Sequence, residues 1–120
     1  MTARKGVVEN YIDGFRRGDL AQIESCLSDD VVWALHGDKT LVGKDAFAAE
    51  AASGGDTKPD LTVDRLVEEG DTVVAMGHGS VALGDGVPVD FIFCEVFTFT
   101  GQLVSRLDTF HIWLTGAPAR

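Results

Sequence analysis

Glu95 lies inside the run Phe91-Ile92-Phe93-Cys94-Glu95-Val96-Phe97-Thr98-Phe99. The run is aromatic and β-branched and ends at Thr100-Gly101, which predicts a β-strand. Alternation puts Phe91, Phe93, Glu95, Phe97 and Phe99 on one face. A carboxyl among Phe rings must find a partner, keep its proton or face a wet cavity, because an unpaired buried charge is costly. A carboxyl that keeps its proton can donate a hydrogen bond to a substrate oxygen. The alternative is that this face is a subunit interface, where Glu95 meets a group of the partner.

His78 stands in Ala75-Met76-Gly77-His78-Gly79-Ser80 and shares a strand face with Val74, Met76 and Ser80. An imidazole titrates near neutrality and can shuttle a proton when a carboxylate orients it. Gly77 and Gly79 allow a ligand or another backbone to come close. A hydrogen-bonded core histidine is the plainer reading. Tyr11 sits on an apolar helix stripe, where a tyrosine is ordinarily core with its hydroxyl satisfied by a neighbour. Tyr11 together with Glu95 points to a pocket. Phe15, Trp33 and Phe47 would wall it, with Met76, Ser80, Phe93, Phe97 and Phe110 completing the lining.

Other chemistries find no support in the spacing. His36 and His111 do not join His78 in a metal-binding pattern, so no metal is expected. No glycine-rich phosphate loop, Gly-x-Ser-x-Gly elbow or catalytic-cysteine signature occurs, and no cofactor is expected. Cys26 and Cys94 follow no redox spacing and read as reduced packing thiols of a cytoplasmic protein.

The elements that must position these residues follow from periodicity. Val7, Val8, Tyr11, Ile12 and Phe15 recur at helical spacing and predict a helix over about 4–17 that stops at Gly18. Asp19 caps a second helix with Gln22 three positions on, as in a capping box, and Ser28-Asp29-Asp30 ends it. Val31-Val32-Trp33-Ala34-Leu35 is a short strand, and His36-Gly37-Asp38-Lys39 a turn. Lys44 to Ala52 is a third helix, followed by a flexible connection over 53–59. Four strand-like runs follow, 61–69, 72–83, 88–100 and 102–113. Short Gly-containing links (Gly70-Asp71, Gly84-Asp85-Gly86, Thr100-Gly101) make them an antiparallel meander. Helices followed by a meander predict an α+β fold in one domain spanning 1–120, with helices covering a curved sheet.

The bulk composition excludes several classes. A net charge of -9 over 120 residues disfavours nucleic acid and anionic membrane surfaces, both of which need a basic patch. No apolar run is long enough to span a bilayer. The 45% hydrophobic content is ordinary for a globular chain.

The order of these motifs resembles the nuclear transport factor 2-like superfamily, and within it the SnoaL-like and ketosteroid isomerase-like group. The resemblance rests on Val7-Val8-Glu9-Asn10-Tyr11 through Gly18-Asp19-Leu20, on Leu27-Ser28-Asp29-Asp30, and on the Gly43-Lys44-Asp45-Ala46-Phe47 helix start before the meander. It implies a cone-shaped, barrel-like fold, usually a homodimer, with a pocket between helices and sheet. It also implies roles. Tyr11 matches the oxyanion-donor tyrosine of the isomerases, and Glu95 their protonated acidic donor. Their general-base aspartate falls on Leu35, and His36 beside it should point the other way. Asp108 resembles the essential last-strand aspartate of the hydrolase and cyclase branches, whose arginine and second aspartate fall on His78 and Ser80. Asp108 would be a general acid or base coupled to His78. Its alternative is a carboxylate paired with nearby Arg106 at a sheet margin.

The expected function is cofactor-independent proton transfer next to a carbonyl of an apolar, oxygenated small molecule: isomerisation, polyketide-type cyclisation or dehydration. Asp108 and His78 would move the proton, and Tyr11 and Glu95 would hold the developing charge. A non-catalytic binding or dimerisation module of the same fold is the alternative, favoured by Leu35. Epoxide hydrolysis is a further one. The mechanism requires one cavity that contains Tyr11, His78, Glu95 and Asp108 together.

Overall fold

The computed structural model describes residues 2–53, 58–82 and 86–114. Helix α1 (Ala3–Arg17) buries Val8, Tyr11 and Ile12, the apolar face that the sequence pattern demands. Thr2 caps its start by accepting from the Lys5 amide, and Gly18 ends it at φ 65°, a left-handed conformation that glycine takes without strain. Helix α2 (Leu20–Glu24) starts at once. Asp19 caps it by accepting from the Gln22 amide at 3.0 Å, as expected. The reciprocal arm of the capping box does not form. The Gln22 side chain instead donates to Asn10 O at 2.9 Å and Asp13 Oδ2 at 3.1 Å, tying α2 to α1. Gly14 allows that close approach, since a Cβ there would lie 2.6 Å from Ile23 Cγ1.

One mixed sheet carries the rest. Its strands are β1 (Leu27–Leu35), β2 (Lys39–Val42), β3 (Asp60–Glu69), β4 (Thr72–Ala82), β5 (Pro88–Thr100) and β6 (Leu103–Trp113). The spatial order is β2-β1-β6-β5-β4-β3. Strands β3 to β6 form the expected antiparallel meander. Strand β1 runs parallel to β6 and antiparallel to β2. Helix α3 (Lys44–Ala52) follows β2 and buries Phe47. Among the described residues, three helices on a six-stranded, mostly antiparallel curled sheet make the fold α+β, as the sequence predicts.

The α2–β1 junction and one edge strand differ from expectation: α2 ends at Glu24, short of Ser28. Strand β1 starts at Leu27 rather than Val31: Ser28-Asp29-Asp30 stays extended across an irregular register between Leu27 and Val32. Strand β2 was not anticipated, because a four-residue, largely exposed edge strand has no apolar alternation to betray it. Of the links expected at 53–59 and 84–86, residues 54–57 and 84–85 lie outside the described residues.

The main core gathers Val8, Tyr11, Ile12, Trp33, Phe47, Phe97 and Leu107 between the helices and the concave face. A smaller cluster, Val81, Phe91 and Phe93, packs with Leu61 and Trp113. Gly77 and Gly79 create the room for it. A Cβ on Gly77 would stand 2.1 Å from Thr62 O and 2.6 Å from Phe93 Cζ; one on Gly79, 2.1 Å from Asp60 O and 2.9 Å from Phe91 Cζ. The close approach expected at these glycines is therefore made by strand β3 and by two aromatic rings.

Candidate functional site

Between the two clusters lies a cavity of about 510 Å³. Strand alternation decides what enters it. Phe91, Phe93 and Glu95 come from β5, and Thr109, His111 and Trp113 from β6. Strand β1 gives Trp33 and Leu35, and α1 gives Tyr11, Ile12 and Phe15. Pro59, Leu61 and Val81 close one side; His36, Gly37 and Asp38 form the rim after β1. The wall is mainly apolar with a few convergent polar groups, the usual make-up of a small-molecule site.

Glu95 lines the cavity and forms no ion pair with the described residues. Burial pushes its carboxyl up to about 7, and only the Thr109 hydrogen bond opposes the shift. That hydrogen bond has a fixed sense. The Trp33 indole can only donate, and it donates to Thr109 Oγ1 at 2.9 Å. The Thr109 hydroxyl proton is then left for Glu95 Oε2, also at 2.9 Å. Oε2 is thus an acceptor, and a protonated Glu95 carries its proton on Oε1. No described residue donates to Oε1.

Tyr11 faces the same space. Its ring is held edge-on by Phe15 and Phe97, each at 5.2 Å, and by Phe47 at 6.2 Å. Its hydroxyl is buried without a hydrogen-bond partner among the described residues. Burial raises the phenol well above its ordinary value, and the Glu95 charge raises it further. A buried hydroxyl with no partner is an unusual cost, met here beside a cavity that could supply an acceptor.

His111 lies tilted against Phe91 at 4.4 Å and Trp113 at 4.6 Å. Burial holds its imidazole below the ordinary value. Neither of its ring nitrogens is hydrogen-bonded to the described residues.

The structure brings together Tyr11 and Glu95, with Phe15, Trp33 and Phe93 in the wall. It separates Asp108 and His78 from them. Asp108 follows the opposite parity in β6 and lies on the outer face of the sheet. Arg106 donates to it twice, Nε to Oδ2 at 3.1 Å and Nη2 to Oδ1 at 3.0 Å, and His36 Nε2 lies 2.9 Å from Oδ1. The Arg106 hydrogen bond holds the carboxyl below the usual range, His36 assists, and burial opposes. The ion-paired alternative is the one found. His78 is exposed on the outer face of β4, with Nδ1 2.8 Å from Asp64 Oδ2. His78 lies across from Ile92 and Ile112, and Asp108 across from Val96 and Val74. That offset is roughly 13 Å along the strands, so the two cannot act as a pair.

The expected lining changes for the same reason. Met76, Ser80 and Phe110 belong to outward rungs, with Phe110 lying flat on His36 at 4.4 Å. Phe47 and Phe97 are fully buried one layer back, Phe47 under Trp33 at 4.2 Å. His36 points outward toward Asp108, as alternation requires, while still edging the rim. Thr109, His111 and Trp113 were missed. Counting alternate residues of β6 from the apolar Leu107 finds all of them.

Comparisons with known proteins agree with this architecture. The SnoaL-like domain model matches residues 8–107. No curated protein matches the sequence. Among solved structures, an NTF2-like protein of unknown function from Burkholderia pseudomallei superposes with a TM-score of 0.81 at 21% identity, covering 92% of this chain and 91% of its own. An LEH-like epoxide hydrolase from M. tuberculosis gives 0.81 at 18% identity, covering 91% and 82%. TerC co-crystallised with polyporic acid gives 0.77 at 22% identity, covering 91% of both chains. These likenesses establish a shared fold, and the domain match over residues 8–107 places the chain in the SnoaL-like family.

Proposed function

We propose that the protein is a small-molecule enzyme that moves a proton next to a carbonyl in an apolar pocket, as an isomerase, polyketide-type cyclase or dehydratase does. One observation supports the reading: Glu95, without an ion pair among the described residues, and Tyr11, whose hydroxyl has no hydrogen-bond partner among them, line one mainly apolar cavity. A substrate oxygen placed there would accept from both. Such preorganised donors stabilise charge that develops on oxygen, each contributing about 3–4 kcal/mol to the barrier when removal is measured elsewhere. Relatives of the fold include one named an epoxide hydrolase and one crystallised with polyporic acid, so small-molecule pockets are within its range.

The test is exchange of the α-protons of apolar cyclic ketones in deuterated buffer, read by proton NMR. Tyr11→Phe and Glu95→Ala should each slow it about 100-fold or more. Exchange unaffected by both variants would sink the reading. Leu35 in the wall, where the isomerases hold a base, favours a second reading, a non-catalytic binder. Tight binding of a phenol with no exchange of any ketone is its signature.

The assembly belongs to the same proposal. The outer sheet face exposes Met76, Ile92, Phe110 and Ile112 by 40–56%. They meet in two adjacent cross-strand rows, Met76-Cys94-Phe110 and His78-Ile92-Ile112. A contiguous apolar sheet face of this kind marks an interaction surface, and a second copy of the chain is the proposed occupant.

A further inference from the structure

The proposed reaction needs a group to take a proton from carbon, and the structure moves the two expected ones out of reach. Asp108 and His78 face outward, and Leu35 is apolar. Four ionisable groups besides Tyr11 line the cavity among the described residues: Glu95, His111, His36 and Asp38. Glu95 accepts from Thr109 through Oε2, which leaves Oε1 to carry its proton as an acid. His36 is committed to Asp108 through Nε2, and its ring lies flat on Phe110. Asp38 sits on the turn after β1, at the cavity rim, and not on the strand face that carries Glu95. His111 is the remaining group. It enters from the inward side of β6, diagonal to Glu95 in the sheet, with neither nitrogen hydrogen-bonded to the described residues.

We propose that His111 is the catalytic base of this cavity, exchanging a proton with carbon while Glu95 and Tyr11 hold the substrate oxygen. The inference rests on the proton-transfer reading above. Its geometry comes from the register. Glu95 lies across from Thr109, and Phe93 across from His111. Glu95 and His111 are therefore diagonal neighbours on one face, with Cβ atoms about 7–8 Å apart. Both side chains project into the cavity, which leaves room for a carbonyl carbon and its neighbour between an oxygen-holding group and a carbon-facing one.

The step balances without any further reactant. A neutral His111 nitrogen takes the α-proton. The C–H electron pair forms the carbon–carbon double bond, and the carbonyl π pair moves to oxygen. That oxygen takes the Glu95 proton and becomes an enol stabilised by Tyr11. Return of the His111 proton to the same or the conjugated carbon, with Glu95 recovering its own, regenerates the enzyme. The Phe91 and Trp113 rings that line the cavity beside the imidazole favour a flat substrate, a cyclic or aryl-fused ketone.

The working state has His111 neutral and Glu95 protonated. Burial keeps His111 below its ordinary 6.5 and raises Glu95 to about 7. Tyr11 stays neutral throughout this range, and His36 and Asp38 are the other titratable groups of the wall. The rate should therefore rise as His111 loses its proton and fall as Glu95 loses its own.

The test uses 2-tetralone as the exchanging ketone and 2-naphthol as a probe of the oxygen site. His111→Gln should lose exchange by about 100-fold with 2-naphthol affinity unchanged. Imidazole added to His111→Ala should restore exchange, which a merely structural residue would not allow. The acid limb of the pH profile should vanish in both variants. Wild-type exchange in His111→Gln would overturn the assignment, and so would a loss confined to Asp38→Asn. Failure of the wild type to bind 2-naphthol or to depend on Tyr11 and Glu95 would instead overturn the underlying function. Intact binding without His111 dependence would overturn the base alone.

Discussion

Asp108 and Thr109 are neighbours in β6 that serve opposite faces of the sheet. The Asp108 carboxylate is gripped by Arg106 and His36 outside, and the Thr109 hydroxyl donates to Glu95 inside. The two positions therefore separate surface electrostatics from cavity chemistry. Asp108→Asn should leave ketone exchange at the wild-type level. Its stability cost should stay within about 1 kcal/mol, because the Arg106 partner is half-exposed and solvent screens the pair. Urea denaturation beside the exchange assay checks both. A collapse of exchange in this variant would return Asp108 to the mechanism.

Thr109→Val should behave in the opposite way. It removes the acceptor of the buried Trp33 N–H and the donor to Glu95 at once. A stranded buried N–H costs about 1–3 kcal/mol. The Thr109 hydrogen bond is what holds the Glu95 carboxyl down, so its loss should drive Glu95 above about 7. Carboxyl carbon NMR across a pH series reads that shift, and a Glu95 titration unchanged in the variant would refute the relay.

Glu95 also makes stability depend on pH, with a definite sign. Its carboxyl is raised from 4.5 to about 7 on folding. Between those values the native state binds more protons than the unfolded chain, so stability falls as pH rises through the interval and levels off above it. The full change is of order 3 kcal/mol. Glu95→Gln keeps the shape and cannot ionise, so its stability should be flatter between pH 5 and 8 than that of the wild type. Parallel slopes in the two proteins would mean that the carboxyl is not desolvated.

How much of this was legible beforehand depends on the kind of information. Glu95 was found from one strand alone, because alternation inside a run of Phe residues is a local signal. The meander and α1 were legible for the same reason. The face served by Asp108 was not, although the phase of β6 was written in Leu107, Thr109 and His111. A family resemblance drew weight to the acidic residue, and a one-residue change of phase moves a side chain through the sheet. The parallel pairing of β1 with β6 is a long-range fact with no local signature. The role of Gly77 and Gly79 was half legible: glycine signalled a close approach but could not say that rings would fill it.

Those glycines allow a direct test of how the cavity wall is built. A Cβ on Gly77 meets a backbone oxygen and the Phe93 ring at distances no real contact shows, so Gly77→Ala must displace β3 or the ring. The cost should be about 1–3 kcal/mol, as for other overpacked sites. The displaced Phe93 should also weaken 2-naphthol binding. Thermal unfolding and fluorescence titration measure the two effects. A variant as stable as the wild type would show that β3 does not press on β4 as described.

The outer sheet face offers the last prediction. Ile112 is 56% exposed and Ile92, its neighbour across the β5–β6 rung, 40%. Apolar strand residues open to water on a face that no helix covers are an aggregation hazard unless a partner removes them. If a second copy does so, Ile112→Lys places a charge in each half of a self-complementary interface, and symmetry doubles the effect. The variant should sediment as a monomer where the wild type sediments as a dimer. Ile112 belongs to the outward set of β6, so the cavity should survive and monomers should still bind 2-naphthol through Tyr11 and Glu95. A wild type that is monomeric at all concentrations would remove the dimer from the proposal while leaving the pocket untouched. Loss of 2-naphthol binding in a folded monomeric variant would instead mean that the partner copy shapes the cavity.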